Sequence, residues 1–316
     1  MDNILTIRDL KVAFQVRGRD AYALDGINID IPKGKIVGIV GESGCGKSMT
    51  AMSIMGLIKS PGRIVGGSID FCGNELTKMG IREYANIRGK DISMIFQEPM
   101  TSLNPVVKVG KQVMEAIILH EHISKAEAKQ RVIEIFNEVG IPEAEKRFNS
   151  YPHELSGGLR QRVMIGMAMI CKPKLLIADE PTTALDVTIE AQILRLMKRL
   201  CEESGTSIMM ITHNMGVVAE ICDYVYVMYA GRVVESAPTK ILFNETAHPY
   251  TSGLLKSIPT IGKKQKRLYT IKGNVPNILN LPEGCRFADR CDLTQNICLS
   301  DRPKDCLLYT SPSPRD

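Results

Sequence analysis

Lys35-Ile36-Val37-Gly38-Ile39-Val40-Gly41-Glu42-Ser43-Gly44-Cys45-Gly46-Lys47-Ser48 decides how this chain is read. Its first six residues form a short apolar run, the pattern of a strand buried on both faces. The next eight fit G-x-x-x-x-G-K-S, and residues 47–58 continue as a helix. Strand, Gly-rich turn and helix together gather backbone N–H groups around an anion at a helix N-terminus. Gly41, Glu42, Ser43, Gly44, Cys45, Gly46, Lys47, Ser48 and Met49 are therefore the candidate cradle for a nucleoside triphosphate. Lys47 would reach the β- and γ-phosphates, and the Ser48 hydroxyl would take a Mg²⁺ position.

The rest of the chain supplies the frame. Its 316 residues are about two domains' worth, and at 44% hydrophobic and 24% charged they have the composition of an ordinary globular protein. No run of about 18 apolar residues occurs, so no span of a membrane is expected. The N-terminus carries no basic-then-apolar leader pattern. A net charge of +5 is a modest bias. The densest basic stretch, Lys263-Lys264-Gln265-Lys266-Arg267, has no interleaved aromatics for base stacking, so no nucleic-acid partner is expected. Residues 4–16 and 27–31 alternate as strands, Leu175-Leu176-Ile177-Ala178 and Ser207-Ile208-Met209-Met210-Ile211 read as buried strands, and residues 224–235 as a hairpin turning at Ala230-Gly231. Between them, Val109, Val113, Ala116 and Ile117 share one helical face, as do Ala128, Val132, Ile135 and Val139, with Ser124 and Glu127 as a capping box. Strands alternating with helices predict an α/β core with a parallel sheet.

Leu175-Leu176-Ile177-Ala178 ends in Asp179-Glu180, which delivers two carboxylates to the C-terminal edge of that sheet. Asp179 would hold Mg²⁺ through water, and Glu180 would act on a water molecule as general base. Ser156 is an N-cap with Gly157-Gly158 behind it, so a second helix start offers donors to an anion. Gln97 follows the strand Asp91-Ile92-Ser93-Met94-Ile95-Phe96, and His213 ends the strand at 207–212. Each means little alone.

Their order resembles the ATP-binding-cassette ATPases. The phosphate loop, Gln97, Leu155-Ser156-Gly157-Gly158, Asp179-Glu180, Ala184-Leu185-Asp186 and His213 stand where that family has Walker A, Q-loop, signature, Walker B, D-loop and switch histidine. The resemblance spans about residues 4–260. It implies a P-loop NTPase core with an antiparallel β subdomain and a helical subdomain at about 97–160, within a nucleotide-binding domain of 1–240. It also implies two ATPase subunits closed head to tail, each ATP lying between one phosphate loop and the other subunit's signature. Glu180 would then be the base, His213 would hold the γ-phosphate and water in line, and Gln97 and Asp186 would join the nucleotide site. Phe14 is the candidate for stacking on adenine, Tyr22 the runner-up, and a core role for Phe14 is an equal alternative.

Phe96-Gln97-Glu98-Pro99-Met100-Thr101-Ser102-Leu103-Asn104-Pro105 and the residues from Ala178 to Thr188 are similar to the dipeptide and oligopeptide importer ATPases, of the D-type. His248-Pro249-Tyr250-Thr251 is similar to the opening of their C-terminal extension, here 241–316. The partners so implied are a second ATPase subunit (F-type, or a second copy of this chain), two membrane permeases and an extracytoplasmic peptide-binding protein, at the cytoplasmic face of the inner membrane. Importers of nickel or glycosides share these motifs and are the first alternative. A soluble cassette ATPase of DNA repair or translation is the second. Four of the nine cysteines, Cys285, Cys291, Cys298 and Cys306, lie in this extension, and in some relatives such cysteines hold a [4Fe–4S] cluster. Cys306 follows Cys298 more closely than the family pattern has it, and residues 307–316 read as a non-native tail.

Overall fold

A computed structural model describes residues 2–97, 102–183, 185–258 and 269–301. Two sheets carry the fold. The first orders its strands β2 (Arg19–Pro32), β1 (Asn3–Val16), β4 (Gly62–Phe71), β5 (Asn74–Glu75), all antiparallel. The second orders β10 (Arg232–Pro238), β9 (Tyr224–Tyr229), β3 (Ile36–Val40), β8 (Ser207–Thr212), β7 (Leu175–Asp179), β6 (Ile92–Ile95). From β9 to β6 this sheet is parallel, and only β10 runs against its neighbour.

The apolar runs that predicted doubly buried strands are buried on both faces, and alternate side chains separate the two cores. Ile36, Val40, Leu176, Ala178, Ile208 and Met210 face a helical layer that includes Val113, Val132 and Val163. Val37, Ile39, Leu175, Ile177, Met209 and Ile211 face the antiparallel sheet and the helix Lys47–Ile54. The hairpin turns where expected, with Ala230 at φ 45° and Gly231 at φ 83°, the paired left-handed conformation that suits a two-residue turn between twisted strands. The helices Val109–Ile118 and Lys125–Glu138 bury the two predicted faces, and the Ser124 side chain accepts the Glu127 amide hydrogen bond.

Two local readings change. The helix after the phosphate loop ends at Ile54, because Gly56 turns at φ 60° with the Tyr84 ring pressed against it. β4 escaped the sequence reading because Gly66-Gly67 breaks its alternation. There a bulge fits Gly67, at φ 84°, against the Asp9 carbonyl of β1.

Residues beyond 240 share the main core. Leu242, Tyr250 and Phe287 are buried in the same cluster as Ile36 and Tyr229. The Tyr229 and Tyr250 rings lie 4.7 Å apart, and Phe287 meets Tyr229 edge-on at 5.2 Å. Aromatic pairs of this kind add about 0.5–1.5 kcal/mol each beyond burial.

Candidate active site

Strand register assembles the site before any side chain is considered. Val40 pairs with Thr212, Ile211 with Asp179, and Ala178 with Ile95. The residues that follow these strand ends, Gly41, His213, Glu180 and Gln97, therefore emerge along one edge of the parallel sheet, where α/β proteins bind ligands.

At the phosphate loop, Gly41 has φ 153° and Gly46 φ 109°. A Cβ on Gly41 would stand 2.2 Å from the Met228 carbonyl, and one on Gly46 2.7 Å from Leu24 Cδ2. Only glycine fits either place. The Lys47 ammonium spans its own loop, donating to the carbonyls of Gly41 at 2.7 Å and Glu42 at 3.0 Å. Cys45 donates its amide to the Glu42 carbonyl at 3.3 Å and accepts from Gly231 at 2.9 Å through its own carbonyl. Its thiol is buried beneath the loop, and burial pushes its pKa up against the opposing charge of Lys47. Ser43, Gly44 and Ser48 are exposed, and Met49 is half-buried against the second core.

Asp179 is buried, and its Oδ1 has no hydrogen-bond partner, with Ser48 beside the carboxylate. Burial raises the Asp179 pKa, and Glu180 adds to this, against Ser48 and Lys47. A buried, half-satisfied carboxylate beside a hydroxyl is a hard oxygen set of the kind Mg²⁺ takes through one or two protein ligands. Glu180 turns at φ 48° with its amide on the Ile211 carbonyl, so its side chain leaves the sheet edge sideways. Its Oε1 lies 3.0 Å from His213 Nδ1, and its Oε2 accepts from Gln97 Nε2 at 3.1 Å and from the Thr183 hydroxyl at 3.0 Å. Burial would raise its pKa, but the bonds from His213 and Thr183 and the charges of His213 and Lys47 outweigh it and hold the carboxyl below its ordinary value. Glu180 is therefore ionised at neutral pH, as a proton acceptor must be.

Other expected residues stand apart. Ser156 caps the helix Gly157–Met169, accepting from the Leu159 amide at 3.4 Å. A Cβ on Gly157 or Gly158 would meet Leu185 or Ile189, so this helix start adjoins the Asp186 loop. Asp186 itself caps the helix Val187–Ser204 through the Ile189 amide at 3.2 Å. Phe14 is half-buried with its ring over Gly62 of β4, and Tyr22 is half-buried on β2.

The described cysteines lend the cluster reading no support. Among the described residues no group of three or more His, Cys, Asp or Glu side chains could hold a metal ion. Cys285, Cys291 and Cys298 are free, half-buried thiols; the Cys285 amide donates to the Cys298 carbonyl at 2.8 Å, and Cys291 Sγ accepts from the Leu293 amide at 3.4 Å. Cys306 lies outside the described residues, as do Glu98, Pro99, Met100, Thr101 and Ala184.

Three residues at the site went unassigned in the sequence. Thr183 holds Glu180, while Tyr250 and Arg290 hold Glu42 of the phosphate loop.

A nucleotide cradle and an ionised carboxylate at one sheet edge define a P-loop ATPase. The chain belongs to the ABC transporter family, whose pattern matches residues 24–183. The family described as "Oligopeptide/dipeptide transporter, C-terminal region" matches residues 234–298. Among curated proteins, the chain is 52% identical over 304 residues to the oligopeptide transport ATP-binding protein AppD of Bacillus subtilis, covering 96% of this chain and 93% of that one. It is 50% identical over 302 residues to OppD of Escherichia coli, covering 96% and 89%. Among solved structures, the ATP-binding cassette MJ0796, a dimer bound to ADP and phosphate, superposes with a TM-score of 0.67 at 27% identity, covering 74% of this chain and 98% of that one. The cbiO1 protein of Clostridium perfringens gives 0.66 at 30% identity, covering 78% and 92%.

Proposed function

We propose that this ATPase energises the uptake of dipeptides or oligopeptides across the inner membrane. It would sit at the cytoplasmic face against two membrane permeases, paired with a second ATPase subunit and served by an extracytoplasmic peptide-binding protein. The observation that carries the catalytic half is the Glu180 carboxylate gripped by His213, Gln97 and Thr183 beside Asp179 and Ser48. The peptide half rests on the match of residues 234–298 and on the names of the relatives. Among the described residues no helix is long and apolar enough to cross a membrane, which suits a subunit that borrows its membrane path from partners.

Hydrolysis follows from the residues in place. Lys47 gives up the carbonyls of Gly41 and Glu42 for phosphate oxygens, and the loop amides of residues 43, 44 and 46–48 take the rest of the charge. Glu180 accepts a proton from water as the water oxygen bonds to the γ-phosphorus. The bond to the β,γ-bridging oxygen breaks, and that oxygen leaves with ADP. His213 and Gln97, both already on Glu180, keep water and base in line. Ser48, Asp179 and Gln97 are the residues that would hold Mg²⁺, which when bound supplies positive charge for the phosphate oxygens. Residues 156–158 serve the γ-phosphate of a second subunit. No step passes through the cysteines.

Co-purification from native membranes with this subunit tagged tests the assignment. Two permeases, a second cassette subunit and a peptide-binding protein are expected in the mass spectrum. Recovery with a nickel- or glycoside-binding protein overturns the substrate, and recovery with ribosomes or DNA-repair proteins and no permease overturns transport.

A further inference from the structure

Glu42, the second residue of the phosphate loop, is held from outside its domain. Its amide donates to the Tyr250 hydroxyl at 2.8 Å, and its two carboxylate oxygens accept from the Arg290 fork at 2.6 and 3.0 Å. Its carbonyl is one of the two that hold Lys47 and also receives the Cys45 amide. One residue thus links the lysine, the loop backbone and the C-terminal extension.

Arg290 is built for this single use. Its side chain is 4% exposed. Nε donates to the Lys272 carbonyl at 2.8 Å, Nη2 reaches the Ile271 carbonyl at 3.5 Å, and Nη1 reaches the Tyr229 hydroxyl at 3.3 Å. The guanidinium lies 5.7 Å from the Tyr229 ring centre and 5.9 Å from that of Phe287. Anchored on these sides, its planar fork has one direction left, toward Glu42, and bidentate pairing fixes orientation as well as charge. Arg286, four residues earlier, grips a different wall: it donates to the Asp25 carboxylate of β2 and to the Ala230 carbonyl.

We propose that Arg290 is a positioning residue for the phosphate loop, which makes the C-terminal extension part of the machinery that sets ATP affinity. A bare carboxylate at the second position of an anion cradle repels the phosphates it should receive. Arg290 cancels that charge, and with Tyr250 it fixes the backbone on which Lys47 and the loop amides depend. The extension is thereby coupled to the nucleotide: what disturbs the turn carrying Arg290 loosens ATP, and bound ATP stiffens that turn. This rests on residues 41–48 being the phosphate cradle, which is checked separately by Lys47→Ala.

The test is Mg–ATP affinity of the full chain by calorimetry, with circular dichroism as the control for folding. Arg290→Gln, which strands Glu42, is expected to weaken ATP about tenfold, the scale of losing a charge-assisted pair. Glu42→Gln/Arg290→Gln, which removes both charges, is expected to return to within about threefold of wild type. Arg286→Gln, which touches no loop residue, should shift affinity less than Arg290→Gln. An Arg290→Gln affinity within twofold of wild type overturns the proposal, as does a double variant no better than the single. Should Arg290→Gln not fold, Arg290→Lys keeps the charge and loses the fork. A weakening of about threefold then supports the proposal and an unchanged affinity overturns it. ATP affinity unaffected by Lys47→Ala would sink the cradle reading instead.

Discussion

Two helix starts in this molecule look alike and are held in opposite ways. Residues 41–48 and 156–158 are both Gly-rich and both open a helix. The first is braced on every side: Lys47 on two loop carbonyls, Cys45 on the hairpin turn through Gly231, Glu42 on Tyr250 and Arg290. The second has one Ser156 cap bond and exposed residues at Ser156 and Gly157. A braced cradle binds by itself, because its donors are ordered before the ligand arrives. A bare helix end offers the same dipole without that bracing. It works only when a ligand already held elsewhere is brought to it. Under the proposed head-to-tail pairing, one chain would carry two halves of different sites, one built to bind and the other to complete.

The largest expected effect separates binding from chemistry within the braced half. Glu180→Gln should lower turnover by about 10²–10⁴, the range of a general base, while Mg–ATP affinity stays within a few-fold. Lys47→Ala should do the reverse at the binding step and lose ATP, since it removes the ammonium that spans the loop. Steady-state hydrolysis in the reconstituted transporter, set against ATP titration of the isolated chain, reads both. Equal loss of affinity in the two variants would break the division of labour.

Much of this was legible in residues 35–48 and 175–180, because both stretches pair a strand pattern with a charged end, and local chemistry suffices to read them. Strand register then brought Gly41, Glu180, His213 and Gln97 to one edge, a consequence of parallel pairing that the alternation of strands and helices already implied. Thr183 on Glu180 and Arg290 on Glu42 were not legible. Arg290 is 248 residues from its partner, and its meaning comes from burial and from carbonyls at 271 and 272 that no spacing encodes. Asp186 shows the converse. A motif position suggested a nucleotide contact, while within the chain its carboxylate caps its own helix.

The bare half is held by one cap. Ser156→Ala should leave ATP affinity of the isolated chain unchanged and cost about 1 kcal/mol of stability as a lost cap. In the assembled dimer it should reduce turnover by about 10², the scale of one preorganised donor. Co-expression can place the variant in one subunit only. If the site that loses hydrolysis is the one whose own phosphate loop is in the mutated chain, the two halves belong to the same site and the comparison fails.

The smallest effect lies in the brace itself. Tyr250 reaches Glu42 from the helix Pro249–Lys256, whose cap is His248, with Nδ1 accepting the Tyr250 amide at 3.1 Å. That bond needs an unprotonated Nδ1. Burial pushes the His248 pKa below its ordinary value, and the Glu235 carboxylate, which accepts the His248 amide at 3.1 Å, opposes this without reversing it. The folded chain therefore takes up a proton here less readily than the unfolded one. Its contribution to stability is complete above the unfolded histidine value of about 6.5 and is lost as pH falls through the folded value. The urea midpoint should be flat from pH 8 to 7 and decline below about 6.5. His248→Asn keeps an oxygen that can cap the helix and removes the proton site, so it should flatten that decline while leaving the midpoint at pH 8 nearly unchanged. A variant slope equal to that of wild type would show that the brace does not titrate at His248.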